Sequence, residues 1–389
     1  MPARWSSQGP LLRTRILQSA AEFRSIESLW RELASSSAAS IFQSFSWNRL
    51  AADCFACKEA PFIICCDSDR GAAIVPAVMR GDGSLGLVGE ELFDYRDVLH
   101  VGDESVLECA WRGLAALRRP FRLVALRGEQ SRRRWRRAQL QPFAAAPCVR
   151  LQDLCSTPSM PSKETGKGKN SHRVSELAVV PGAMQPVHGA TFATEQSRDK
   201  FLCAHSRLRR HARRLADRGA MLRRHAGSER ELARFIYESK GQQTASHENL
   251  FQDSSRREFM IQIAAEEESR CEIFTYETES HLVAALVAFR DDRVRHFYTI
   301  YYDSRWGDLS PGQLLLFEAS AITLAEGFDC DYMTGESLFK NRLATSCVPL
   351  WRVEVPAEEL PSLFSVDKDA EREPLADSTI AADHWPRSA

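Results

Sequence analysis

The stretch YYDSRWGDLSPGQLLLFEASAITLAEGFDC, Tyr301–Cys330, runs from a strand end through a loop and a helix to the edge of another strand. Ser310 is a good N-cap residue. Pro311 suits the first helical position because its missing N–H would have had no partner there, and Gln313 completes an S-x-x-Q capping box. Gly312 is the anomaly, since glycine in a helix costs roughly 1 kcal/mol relative to alanine. Two readings account for it. A bare second position lets a large anion, usually a phosphate, approach the N–H groups at the positive end of the helix. Alternatively, the glycine relieves a close contact with a neighbouring strand. On propensity alone, valine at 312 should leave the helix intact and alanine should strengthen it.

Working outward, VRHFYTIYY (294–302) reads as a strand and FDCDYMTG (328–335) as the next one. The first half spells the same order in GSLGLVGEELFDYRDVLHVGDESVLECAWRGLAALRRPFRLVALRG (83–128): a short strand, a loop with Asp94 and Tyr95, a helix from about Glu104, and a strand near Phe121 to Leu126. A hairpin-like pair precedes each unit, PFIICCDSDRGAAIVPAVMRG and CEIFTYETESHLVAALVAFRDD. The chain therefore reads as a distant tandem repeat, α/β in class (α+β), with mixed sheets flanked by helices. The first-half helix opens with Asp103 and Glu104, where an incoming phosphate would want bare N–H groups. Only the second half keeps an anion-receiving helix start, which favours a functional role for Gly312.

At 389 residues the chain has room for two to three domains. Lys plus Arg is 51 against 52 Asp plus Glu, and the net charge of −1 argues against a general polyanion binder. The arginines are uneven: RRPFRLVALRGEQSRRRWRRAQL (118–140) and SRLRRHARRLADRGAMLRRHA (206–226) are dense in them, and lysine is scarce. Such runs are mostly solvated helix faces, with a nucleotide, anionic glycan or nucleic acid as the minority reading. The eleven cysteines are odd in number and no long apolar leader opens the chain, which suits reduced thiols in the cytoplasm. Cys54 and Cys57 have metal-like spacing but sit in an aromatic-rich helical pattern. Cys65 and Cys66 fall on opposite faces of a strand, so buried structural thiols are expected and no metal. No apolar run reaches the roughly 20 residues of a membrane span.

The units are expected at 20–154 and 191–356, with a polar linker or insertion at 155–190 and a disordered tail at 357–389. Three amphipathic helices, roughly Thr194–Arg218, Glu229–Gln242 and Ser255–Glu268, should precede the second sheet.

The ordered set FQSFSWNRLAADCF, DYRDVL, RLRRHARRLADRGA, YTIYYDSRWGDLSPGQLLL and GESLFKNRLA resembles the CelD/BcsL cellulose-biosynthesis acetyltransferase group, over roughly Ile41 to Val355. That group is similar to the FemAB transferases and belongs to the GNAT-like acyltransferases. The resemblance implies two tandem GNAT-like acyl-CoA N-acyltransferase units and an acetyl-CoA or other acyl-CoA donor. GNAT enzymes spell their pyrophosphate loop Q/R-x-x-G-x-G/A, which RWGDLSPG does not, and FemAB relatives take their acyl group from aminoacyl-tRNA.

Acyl transfer needs a group to take the acceptor's proton and one to protonate or stabilise the leaving group. Strict alternation in HFYTIYY places His296, Tyr298, Ile300 and Tyr302 on one face, and Phe297, Thr299 and Tyr301 on the other. Tyr298 or Tyr302 could protonate a leaving thiolate; ordinary aromatic packing is the plain alternative. Asp303 follows the strand at the mouth of the phosphate-receiving helix, and Asp94 lies in the matching loop of the first half; these four are the catalytic candidates. Ser310, Pro311, Gly312 and Gln313 are the donor-binding candidates. Tyr95, Asp331, Glu336 and Lys340 are the acceptor-binding ones. Glu336 and Lys340 also have the spacing of a surface i,i+4 pair, and the resemblance raises Lys340 above that. His205 and His247 have no partners at ligand spacing, and no Ser-His-Asp order or metal motif stands out.

The expected function is therefore transfer of an acyl group from acyl-CoA to an amine or hydroxyl of a small molecule, sugar or polysaccharide precursor. A FemAB-like aminoacyl-tRNA reaction, with nucleic acid bound by the arginine-rich helix 206–224, is the alternative. A non-catalytic scaffold in exopolysaccharide assembly is the third.

Overall fold

The computed structural model describes residues 12–37, 39–89, 92–127, 139–156, 201, 205–243, 249–335 and 337–360. Its first half runs β1 (Arg13–Leu17), α1 (Ala20–Ser25), α2 (Glu27–Ser36), α3 (Phe45–Cys54), β2 (Glu59–Ser68), β3 (Gly71–Arg80), β4 (Leu85–Leu87), β5 (Leu99–Gly102), α4 (Glu104–Ala115) and β6 (Phe121–Arg127). Next come β7 (Gln141–Val149) and α5 (Leu151–Ser156). The second half runs α6 (Ser206–Asp217), β8 (Met221–Ala226), α7 (Arg230–Gln242), α8 (Ser254–Ala265), β9 (Glu272–Glu277), β10 (Leu282–Arg290), β11 (Val294–Tyr302), α9 (Pro311–Ala325), β12 (Asp329–Asp331), α10 (Leu338–Leu343) and β13 (Ser346–Val355).

The expected repeat is visible strand by strand. The antiparallel hairpin β2–β3 matches β9–β10, α4 matches α9, and β6 matches β12. The counterpart of β11 is split: β4 and β5 both pair with β3, and between them Arg96 keeps a single parallel bridge to Leu126 of β6. All the strands join one sheet in the order β1-β2-β3-β4-β6-β13-β7-β12-β11-β10-β9-β8, with β5 beside β3. The last strands are exchanged. β7 ends the first half yet lies between β12 and β13, and β13, the last of the described strands, pairs antiparallel with β6. The sheet is mixed, with β4∥β6 and β11∥β12 among antiparallel neighbours.

Alternation in β2 sends Ile63 and Cys65 into one hydrophobic core and Ile64 and Cys66 into another, as period-two patterning requires. Helix α9 is apolar on nearly every side because it is buried, with Leu314, Leu315, Leu316 and Phe317 fully covered. Helix α7 matches its expected span. Helix α8 stops at Ala265, where a 3-10 turn, Glu267–Ser269, takes over. The first part of the expected helix from Thr194 lies outside the described residues, as do 157–200 and 361–389, the bulk of the expected linker and tail. Among the described residues no helix is long and apolar enough to cross a membrane.

Candidate functional site

Strands β11 and β12 run parallel for only three pairs, Val294–Asp329, Arg295–Cys330 and His296–Asp331, and then part. Just beyond, β11 carries a bulge. Val287 of β10 pairs with Thr299 while Ala288 pairs with Phe297, which leaves Tyr298 as the extra residue. A bulge takes one residue's backbone groups out of the ladder and re-aims the side chains after it. Strict alternation therefore fails. Tyr298 packs on Trp47 and Phe289, Thr299 meets the Tyr237 hydroxyl, and Tyr301 meets Phe235, all on the side of α3 and α7. Phe297 stacks on Tyr332, and Ile300 and Tyr302 face α9. Ile300 and Tyr302 are thus on the opposite face from Tyr298, and Thr299 and Tyr301 on the same one.

At the parting point Asp331 is buried and accepts from the Tyr95 hydroxyl at 2.7 Å, the Met333 N–H at 2.8 Å and the Arg127 guanidinium at 2.8 Å. Arg127 also lies over the Tyr95 ring, 4.2 Å from its centre. Burial works against the charge on Asp331, but Arg127, His296 and Tyr95 outweigh it and hold the carboxyl well below the usual range. His296 Nε2 is 2.8 Å from Asp291, and its Nδ1 is 3.4 Å from Asp331, too poorly aimed for a full hydrogen bond. Burial lowers the imidazole's pKa, yet the two carboxylates win and raise it.

Residues 92–95 of the first half reach into this place. Asp94 accepts from the Thr334 hydroxyl, and Lys340 donates to the Thr334 carbonyl at 2.9 Å. Burial raises the pKa of Asp94, with the Thr334 bond and the Lys340 charge pulling the other way; burial lowers that of Lys340. Both side chains keep partial contact with solvent. The Tyr298 phenol donates to the Leu92 carbonyl, and burial holds its proton on well above the ordinary tyrosine range. Asp94, Tyr95, Tyr298, Asp331 and Lys340 are thus brought together from both halves. Glu336 lies outside the described residues. Lys340 lies in helix α10, which starts at Leu338.

The other candidates gather at the far end of β11. Asp303 caps the 3-10 turn Ser304–Leu309 by accepting from the Arg305 N–H at 3.0 Å, and it binds the Arg305 guanidinium at 2.9 Å; that bond lowers its pKa. Pro311 occupies the first helical position as expected, but the capping box does not form. Ser310 is left-handed, φ 49°, and its side chain caps nothing; its carbonyl instead accepts from the N–H groups of Gln313 and Leu314. A serine so strained no longer aims its hydroxyl at the first turn. A Cβ on Gly312 would meet Ile300 Cγ2 at 3.0 Å and Tyr302 Cδ1 at 3.5 Å, so close approach to β11 accounts for the glycine. The contrast between the two helix starts holds nonetheless. Asp103 caps α4 by accepting from the Ser105 N–H at 2.8 Å, while the start of α9 carries no side-chain cap.

Sequence reading missed Arg127, Asp291, Thr334 and the role of His296. Arg127 stands among many arginines, and His296 and Asp291 become partners only through a strand reversal. His205 bonds the carbonyls of Phe201 and Arg342, and His247 is outside the described residues. Among the described residues no three His, Cys, Asp or Glu side chains are arranged to hold a metal, and Cys54 and Cys57 are free.

Residues 204–341 match a protein family described as Acetyltransferase (GNAT) domain. Among solved structures, a conserved protein of unknown function from Bacteroides thetaiotaomicron aligns with a TM-score of 0.51 at 9% identity, covering 88% of this chain and 100% of its own. The C-terminal domain (DUF2156) of a protein provisionally assigned as a lysylphosphatidylglycerol synthetase from Agrobacterium fabrum aligns with a TM-score of 0.50 at 11% identity, covering 89% and 95%. A tandem GNAT protein from the clavulanic acid biosynthesis pathway aligns with a TM-score of 0.43 at 10% identity, covering 88% and 98%. No curated protein matches the sequence. The fold is GNAT-like.

Proposed function

We propose that the protein is an acyltransferase that moves an acyl group, acetyl in the simplest case, from acyl-coenzyme A to an amine or hydroxyl of a sugar, polysaccharide precursor or similar small acceptor. The observation that carries the reading is the gap where β11 and β12 part. An uncapped helix start and Tyr302 flank it on the α9 face, and Asp94, Thr334 and Lys340 stand at its inner end. The resemblance to the CelD/BcsL group adds the sugar-type acceptor.

In this reading the donor's pyrophosphate lies at the start of α9, on Ser310 to Gln313. The acceptor nitrogen or oxygen attacks the thioester carbonyl carbon, the carbon–sulfur bond breaks, and the sulfur leaves as a thiolate. Asp94 takes the acceptor's proton, and Tyr302, exposed and next to the α9 start, returns one to the thiolate. Of the two inner carboxylates Asp94 is the better base. Asp331 is tied up by Arg127, Tyr95 and the Met333 N–H, whereas burial raises the pKa of Asp94. Lys340 orients the acceptor, Tyr95 acts from behind through its bond to Asp331, and Glu336 is assigned to acceptor binding as well. An acyl-CoA donor places the reaction in the cytoplasm.

Thermal-shift measurement against acetyl-CoA, longer acyl-CoA species and free CoA tests the donor. A ligand at about 100 times its dissociation constant stabilises the native state by roughly 2.7 kcal/mol, so a clear rise in Tm is expected. If no CoA species raises the Tm, the reading falls. One observation supports the aminoacyl-tRNA alternative: Arg210, Arg213 and Arg214 are exposed on α6, which packs against α9. Steeply salt-dependent tRNA binding with no response to CoA would select it, and no response to either donor would select the scaffold.

A further inference from the structure

A pocket of about 300 Å³ opens between the end of β11 and the C-terminal turn of α7. Helix α7 supplies Ser239, Gln242 and Gln243, and the strand supplies Tyr301 and Tyr302. Asp303 and Ser304 close its rim. The volume is at the small end of ligand pockets, room for one compact ring.

Its chemistry is narrow. Among the described lining residues there is no lysine or arginine, so none of them offers an anion a counter-charge. The one carboxylate among the described lining residues, Asp303, is bonded to Arg305, so a cation gains little from it. What remains is neutral: two primary amides, each with two donors and a two-lone-pair acceptor, and phenol and alkyl hydroxyls. Among the described residues the side chains of Gln242, Gln243 and Tyr302 make no hydrogen bond within the protein, whereas the Ser239 hydroxyl engages Tyr301. Tyr302, which leans toward α9, is 46% exposed and adds aromatic surface to the strand end of the pocket. Unpaired amides beside exposed aromatic surface match a ligand that has closely spaced hydroxyls on one side and C–H groups on the other.

We infer that this pocket binds an uncharged sugar ring and is an acceptor subsite of the acyl-transfer reaction. The inference rests on the acyltransferase reading for its role, but not for its chemistry. Tyr301 projects on the same face of β11 as Tyr298, three residues back, and a strand rises roughly 3.3 Å per residue. The ring is therefore held roughly 10 Å from the inner cluster. It positions the acceptor without itself reacting, so a disaccharide binds better than a monosaccharide.

The test is saturation-transfer NMR on the full chain with four probes: glucose, N-acetylglucosamine and the β-1,4-linked disaccharide of each. Transfer to at least one sugar is expected, stronger for its disaccharide, and Gln242→Ala/Gln243→Ala should weaken binding about tenfold through the loss of amide hydrogen bonds. The double variant should melt like the parent, since neither amide is tied to the fold, and should keep the parent's thermal shift with acetyl-CoA. No transfer to any of the four sugars at millimolar concentration, or binding untouched by the double substitution, overturns the subsite. A retained acetyl-CoA shift would then leave the acyltransferase reading standing, and its loss in the parent protein would remove that reading instead.

Discussion

Gly312 answers to packing before it answers to a ligand. Its missing side chain lets α9 lie against Ile300, so the space a phosphate would enter and the space the strand needs are partly the same. The expectation that valine would be tolerated came from helix propensity, which is blind to a neighbour 3.0 Å away. Gly312→Ala sets a helix-propensity gain of about 1 kcal/mol against crowding of Ile300 in the space a phosphate would also enter, so that substitution cannot separate the two roles. Gln313 can. It is only partly buried in the first turn, where a carboxylate favours the helix by about 0.3–1 kcal/mol. Gln313→Glu should keep or raise the midpoint in a denaturant melt while calorimetry shows acetyl-CoA binding weakened about tenfold or more by repulsion of the pyrophosphate. Undiminished binding would move the phosphate site elsewhere. The inner carboxylate has its own test: Asp94→Asn should cut kcat about 100-fold or more with KM little changed, the scale of general-base catalysis, and an unaltered kcat would remove Asp94 from the proton path.

The repeated strand-loop-helix-strand unit was legible because each element follows local periodicity. The segment around Asp94 and Tyr95 was legible as a loop, but not as the piece that completes the other half's site. Nothing local in DYRDVL announces that Tyr95 bonds Asp331, 236 positions away. The bulge at Tyr298 was equally hidden, since an inserted residue leaves composition and alternation in HFYTIYY unchanged. The contact between elements can be measured through Asp331. Its folded pKa is depressed, so it stabilises the native state above the unfolded carboxyl value of about 3.9 and loses that contribution as pH falls below it. Asp331→Asn leaves Arg127 without its buried counter-charge and should cost about 3–5 kcal/mol at pH 7 in urea melts. The difference between variant and parent should shrink steadily below about pH 4. A difference independent of pH would mean that Asp331 acts by shape and not by charge.

At the scale of the whole molecule, the exchanged strands decide how the chain can come apart. A segment spanning 1–156 carries β7 but lacks both its neighbours, β12 and β13, and leaves β6 as an open edge from Phe121 to Arg127. A segment spanning 157–389 has the opposite defect, because without β7 its β12 and β13 no longer touch. Open edges of this length invite aggregation. Each segment should therefore be insoluble or unfolded when expressed alone, while the two expressed together should form a one-to-one complex that recovers the fold. Deleting most of Ser156–His172 should barely change the Tm, because polar, turn-rich sequence contributes little to burial. The intact chain should unfold in one transition, with tryptophan fluorescence and far-UV circular dichroism superimposing, since rupture of β6–β13 pairing opens both halves at once. Two separated transitions, or a 1–156 segment that melts cooperatively by itself, would show that each half holds its fold without the borrowed strand.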